Sequence, residues 1–150
     1  MEAPHVPPSE AVRFRATLWT RWSDEDNQAV LNNAVYLTLF EEARHRYFGS
    51  LGLLDGNRFP FLLLQCDVRF LRPGRGGVPV TAEIATTALG TSSISQAYRI
   101  APADGSAPWC EAAALLVCVD AATGRSAPMP QMFRERVAAF EGLPSAPPAR

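Results

Sequence analysis

The chain contains no lysine: all fourteen of its basic residues are arginine. Schiff-base chemistry on a lysine amine and phosphate binding by a lysine ammonium are therefore excluded. Histidine is nearly as scarce, with His5 in a proline-rich N-terminal stretch and His45 inside an apolar-periodic segment. The three cysteines, Cys66, Cys110 and Cys118, have no metal-ligand spacing and fall in apolar, strand-like runs. An odd cysteine count without a signal peptide predicts buried, reduced thiols and a cytoplasmic protein. No apolar run approaches the ~20 residues needed to cross a bilayer, so no membrane association is expected. Charge of either sign is also close to absent in sum, fifteen acidic residues against fourteen basic ones giving a net −1. That balance excludes bulk electrostatic attraction to nucleic acid or to an anionic membrane. There is no internal repeat and no sign of a second domain.

What is present is enough apolar chain for one core. With 150 residues, 47% hydrophobic and 19% charged, the composition is that of a globular domain. A chain of this size buries roughly two-thirds of its unfolded surface around one core. The proline-rich ends, residues 1–11 and 143–150, read as poorly ordered tails, leaving residues 12–142 as the domain. Period-two alternation over residues 12–22 (Val12, Phe14, Ala16 and Leu18 against Arg13, Arg15 and Thr17) predicts a strand with one buried face. Residues 34–51 carry Tyr36, Phe40, Ala43 and Tyr47 at helical spacing, widened by Leu37, Leu39, Phe48 and Leu51. A helix so broadly apolar is wrapped by a sheet. Four more strands follow, over residues 61–72, 78–89, 92–100 and 109–120. In the first, Leu62, Leu64, Cys66, Val68 and Phe70 are predicted to share a face; the last is apolar throughout, as a strand covered on both faces would be. A short helix opened by Pro130, with Phe133, Val137 and Phe140 inside, closes the domain. The order predicts an α+β fold.

The chemistry concentrates between Arg21 and Phe48. An acidic turn, Asp24-Glu25-Asp26, precedes two asparagines, Asn32 and Asn33, and then the long helix. Asn33 is the expected N-cap, and Asp24 and Glu25 are expected to be solvated turn residues. First-turn N–H groups have no intrahelical partner and, with the helix dipole, favour negative charge. A carbonyl oxygen docked on the N–H groups of Asn33, Ala34 and Val35 would be polarised there, while the carboxylate of Asp26 attacks the carbon or activates water. The same spacing also fits an aspartate that only stabilises the turn.

This stretch resembles the signature of the hotdog-fold acyl-thioester hydrolases of the 4-hydroxybenzoyl-CoA thioesterase type. The pattern is an aspartate, two variable residues, Gly-His-Val-Asn-Asn, a tyrosine, and a helix containing Phe-Glu-Glu-Ala-Arg. Asp26, Asn32, Asn33, Tyr36 and Phe40-Glu41-Glu42-Ala43-Arg44 stand in register with it. Asp67-Val68-Arg69-Phe70-Leu71-Arg72-Pro73 and Gly90-Thr91-Ser92-Ser93 are similar to later family segments. The chain departs from the pattern at Ala29-Val30-Leu31, where relatives carry Gly-His-Val.

The resemblance implies a single hotdog domain, a curved antiparallel sheet of about five strands wrapped around the long helix, with a short C-terminal helix. It implies a homodimer or homotetramer whose sheets join edge to edge and whose active sites lie between subunits. It implies hydrolysis of acyl-CoA, or of an acyl carrier protein thioester, to the free acid and the thiol, with CoA as part of the substrate and no metal or other cofactor. On this reading Asp26 and Asn33 are catalytic. Val30, Asn32, Ala34, Val35 and Tyr36 line the acyl site, and Arg72 and Arg75 hold CoA phosphates by guanidinium–phosphate pairing. Glu41 or Glu42 could serve instead as a base on the helix, as in another branch of the fold; an exposed helix carboxylate, or one paired with Arg44 or His45, is their plainer role. The loss of the histidine at Val30 leaves open a protein that binds acyl thioesters without cleaving them. A hotdog dehydratase, which relies on histidine, fits least.

Overall fold

The alternating stretch near the N-terminus forms strand β1 (Phe14–Trp19), with Leu18 buried and Arg15, Thr17 and Trp19 outward. The computed structural model of the protein describes residues 5–147 and 149. The tail expectation for residues 1–4, 148 and 150 lies outside the described residues. Within the N-terminal stretch, Ser9–Ala11 makes one 3-10 turn, Pro7 accepts a hydrogen bond from Arg99, and Val12 is buried.

After β1 come the long helix α1 (Asn33–Ser50), strands β2 (Phe61–Phe70), β3 (Pro79–Leu89), β4 (Ser93–Pro102) and β5 (Cys110–Cys118), and helix α2 (Gln131–Glu141). The strands form one fully antiparallel sheet in the order β1-β3-β4-β5-β2. Its inner face curves around α1, the arrangement the resemblance implied. Tyr36, Leu39, Phe40, Ala43, Tyr47 and Phe48 of α1 are buried against Ile84, Ile94, Tyr98, Ile100 and Leu116 of the sheet. Edge-on and tilted aromatic contacts tie the layers, Phe40 on Tyr98 at 4.8 Å and Phe48 on Phe133 of α2 at 4.7 Å. Each such side chain contributes about 1.5–3 kcal/mol by leaving water. Among the described residues no helix is long and apolar enough to cross a membrane.

Two strands correct the expected pattern. In β2, Phe61 is buried while Leu62 and Leu64 are 59% and 66% exposed. A β-bulge between Leu63 and Gln65 inserts an extra residue opposite β5 and reverses the phase, so only Cys66 and Val68 turn inward as expected. Four consecutive apolar residues carry no alternation, so nothing in residues 61–64 marks the phase. In β5, Cys110, Ala112, Ala114, Leu116 and Cys118 are buried and the intervening residues only half so; the strand is interior in the sheet but fully covered on one face. β2 is an edge strand, hydrogen-bonded to β5 alone.

Candidate active site

The loop from β1 to α1 folds back on itself as a two-armed ladder. Glu25 and Leu31 form an antiparallel bridge, Asp26 N–H donates to Val30 O at 2.9 Å, and Asn32 N–H donates to Asp24 O at 2.8 Å. Asp24, expected in solvent, is 6% exposed and anchors the loop by accepting from Arg21 N, Nε and Nη2 at 2.8–3.0 Å. Burial pushes its carboxyl up, but the hydrogen bonds and charge of Arg21 outweigh that and hold it below the usual carboxylate range. Glu25 is likewise not free: its Oε1 accepts from Gly76 N at 2.9 Å and latches the loop to the β2–β3 connection. A side chain at Gly76 would collide with Arg21 O at 2.5 Å, so the latch needs glycine there.

Asp26 stands half-buried, two rungs along this ladder from Asn32, the residue that precedes α1. Its Oδ1 accepts from Gln28 N at 2.8 Å, an Asx turn, and its Oδ2 has no partner among the described residues. The turn is closed by Ala29 in the left-handed region at φ 57°, the one non-glycine residue with positive φ among those described. A glycine at this place in the family pattern is what such a conformation favours. Ala29→Gly should therefore raise unfolding stability by about 1 kcal/mol, measured as a higher urea midpoint with unchanged slope.

At the start of α1 the cap is Asn32, not Asn33: Asn32 Oδ1 accepts from Ala34 N at 2.9 Å. Val35 N–H donates to Asn32 O at 2.9 Å. Two of the three donors expected to meet the substrate oxygen are thus occupied. The N–H of Asn33 alone has no partner among the described residues. It opens an 18-residue helix whose dipole adds to its pull on an oxyanion.

Two cavities flank this end of the helix. One of about 220 Å³ is bordered by Val30, Asn33, Tyr36, Phe70, Arg72 and Gly74. Tyr36 is buried there, which pushes its hydroxyl up to about 12. Its Oη would lie 2.6 Å from a Cβ at Gly74, so glycine sets the depth of this wall. The other, of about 750 Å³, joins Val30 to Arg72, Arg75, Ser106 and Trp109. The structure therefore brings Val30, Asn33, Tyr36, Arg72 and Arg75 together. Asn32 and Ala34 are exposed at the helix start, Val35 packs on the core, and Asp26 borders neither cavity. No cluster of three or more histidine, cysteine, aspartate or glutamate side chains suited to a metal occurs among the described residues.

Residues 20–137, the span from the end of β1 into α2, match the thioesterase-like superfamily. The chain belongs to this family. No curated protein matches the sequence. Among solved structures, a Thermus thermophilus thioesterase complexed with coenzyme A and Zn is 32% identical over 89% of this chain and 97% of that one, with a TM-score of 0.75. The 1,4-dihydroxy-2-naphthoyl-CoA thioesterase Slr0204 from Synechocystis shares the fold, at 20% identity over 83% and 95% of the chains and a TM-score of 0.74. So does SAV2348 from Staphylococcus aureus in complex with CoA, at 18% identity over 87% and 85% and a TM-score of 0.76. The chain is a thioester hydrolase of hotdog fold.

The helix carboxylates of this thioesterase, Glu41 and Glu42, border neither cavity at the start of α1. Glu42 pairs with Arg46 at 2.8 Å, not with Arg44 or His45, and Glu41 is exposed; His45 is half-buried. The burial of Arg44 is not anticipated by its place in the family run or by its expected pairing with these carboxylates. The arginine is 5% exposed beneath α1, with Nε donating to Tyr98 Oη at 2.9 Å. Its position was a usable signal: Arg44 falls four residues after Phe40 and three before Tyr47, on the buried stripe.

Proposed function

We propose that the protein hydrolyses acyl-CoA thioesters to free acid and CoA. The carboxylate of Asp26 acts on the thioester carbon, as nucleophile or as base for water, while Asn33 N–H polarises the carbonyl. The observation that carries this is the unpartnered Asn33 N–H at the start of α1, with Asp26 held on the ladder that leads into it. An oxygen gaining negative charge in the transition state gains more from such a donor than the ground-state carbonyl does, which is what lowers the barrier. The cavity bordered by Arg72 and Arg75 supplies two guanidinium groups at its mouth for the CoA phosphates. The CoA-bound Thermus relative supports CoA as the carrier in preference to acyl carrier protein. A panel of short, long and aromatic acyl-CoA substrates, followed by free-thiol release, tests the reading. Release of CoA is expected; tight binding of every acyl-CoA without release would leave the acyl-binding alternative in its place.

The site is completed by a second copy. Asp26 borders neither cavity of its own chain, and β2 leaves one edge unpaired with Leu62, Leu64 and Phe70 exposed along it. An open apolar edge is a template for another strand. We expect a homodimer joined through β2, or a tetramer of two such dimers. Light scattering at micromolar concentration should give at least twice the mass of one chain, and Leu64→Lys on the β2 edge should yield a poorly active monomer. A fully active wild-type monomer would contradict the shared site.

A further inference from the structure

The open edge of β2 carries its own mark of register. Arg69 lies opposite Glu111 of β5, and two residues on, Leu71 N–H donates to Trp109 O at 2.7 Å. Backbone direction alternates along an antiparallel strand, so Gln65, Asp67 and Arg69 direct their N–H and C=O groups to β5. Cys66, Val68 and Phe70 therefore present theirs at the open edge. Side chains follow the same alternation. Cys66, Val68 and Phe70 lie opposite the buried Ala114, Ala112 and Cys110, while Gln65, Asp67 and Arg69 stand exposed on the outer face. Both charges are free of ion pairs: neither Asp67 nor Arg69 takes part in one among the described residues. Asp67 accepts one hydrogen bond, from Gln65 Nε2 at 3.2 Å.

Two identical edges that pair antiparallel about a two-fold axis set one residue opposite its own copy. Along the regular ladder after the bulge, the charges decide which residue that is. A centre at Asp67 or at Arg69 opposes like charges, which destabilises a sheet. A centre at Cys66 sets Asp67 against the partner's Gln65 and Arg69 against the apolar bulge. A centre at Phe70 sets the two charges against the partner's Pro73 and the partner's Leu71. Val68 alone sets Asp67 opposite the partner's Arg69, once on each side of the axis. Those are non-hydrogen-bonded positions, where facing side chains stand closest.

We propose that the subunits pair through β2 with the two-fold axis at Val68, held in that register by two Asp67–Arg69 ion pairs across the axis. The inference rests on the shared-site reading and names the residues that complete the site. In this register Phe70 lies beside the partner's Cys66. Phe70 borders the cavity at Asn33, and Cys66 borders a cavity of about 330 Å³ between α1 and β2 that also reaches Leu37, Glu41 and Leu63. Within one chain these cavities are separate. The axis sets one copy's beside the other's, so the partner's Leu63 and the partner's Cys66 close the site at Asn33. Phe70 and Leu63, 48% and 43% exposed in the single chain, are covered together.

Asp67→Arg and Arg69→Asp test the register as a pair. Alone, each variant puts like charges opposite one another on both sides of the axis and should raise the dimer dissociation constant roughly 10- to 100-fold. Coexpressed, they restore both ion pairs in the mixed dimer only. Native mass spectrometry should then find about nine-tenths or more of the dimers mixed, where chance gives about half. The axis itself is tested by Val68→Cys, which should form a disulfide-linked dimer on mild oxidation. Facing hydrogen-bonded residues have Cα atoms about 5.5 Å apart, within disulfide reach. The wild type, whose Cys66 faces Phe70, should not cross-link. A mixed fraction near one half, or a wild-type dimer linked through Cys66, overturns the register. A monomeric wild type overturns it together with the shared site. None of these readouts needs turnover: a wild type that hydrolyses no acyl-CoA, beside an excess of mixed dimers, sinks the hydrolase reading and leaves the register standing.

Discussion

Asp26→Asn lowers kcat for thioester hydrolysis by roughly 10²–10⁴-fold, the range spanned by a positioned proton acceptor, and leaves the fold in place. The change keeps the shape of the side chain and removes its charge. An asparagine Oδ1 still accepts from Gln28 N, so the Asx turn that shapes the loop survives. The ladder hydrogen bonds, Asp26 N–H to Val30 O and Asn32 N–H to Asp24 O, are backbone bonds that the substitution does not touch. Unchanged circular dichroism and urea midpoint beside lost turnover are therefore the expected pair. Activity within about threefold of wild type would show that the carboxylate does not act in the reaction. Inactivity of Glu41 variants in the same assay would then move the base onto α1. A loss of turnover matched by a loss of folded protein would reduce Asp26 to a turn residue.

Asn33→Pro separates the backbone donor from every other feature of the helix start. Proline at the first helical position lacks only an N–H that the helix itself never uses, and its ring suits helical φ. The preceding residue, Asn32, already has φ −60° and ψ 133°, which proline requires of its neighbour. Asn32 still caps through Ala34 N. The helix should form with unchanged stability while kcat falls by about 10²–10³, the cost of one oxyanion donor. KM should move little, because the donor acts on charge present only in the transition state. Asn33→Ala, which retains the N–H, is the control and should remain active. Equal losses in the proline and alanine variants would transfer the role to the asparagine side chain, and full activity in the proline variant would remove the donor from the mechanism.

The parts of this molecule that were legible in its sequence are those governed by local periodicity. β1 declares itself by alternation, α1 by its aromatic stripe, and α2 by Pro130 and the Phe133–Val137–Phe140 spacing. The phase of β2 was not legible, because Phe61-Leu62-Leu63-Leu64 offers no polar residue to mark the outward face and the bulge is fixed by pairing with β5. The cap shifted by one residue because Asn32 and Asn33 are equally good caps; the choice follows from Asn32 N–H being tied to Asp24 O, a constraint of the loop. Asp24 had a local clue in Arg21 three residues before it. Arg44 had a clue to its burial in its place on the α1 stripe but none to its partner, because Tyr98, which orients it, lies 54 residues away.

The most direct measurement is a crystal structure of the Asp26→Asn protein with a slowly turned-over acyl-CoA bound. The account predicts the thioester oxygen about 2.7–3.1 Å from Asn33 N, the side chain of residue 26 facing the thioester carbon, and the CoA phosphates beside Arg72 and Arg75. A thioester carbonyl seated away from the start of α1, for instance against Glu41, would contradict it.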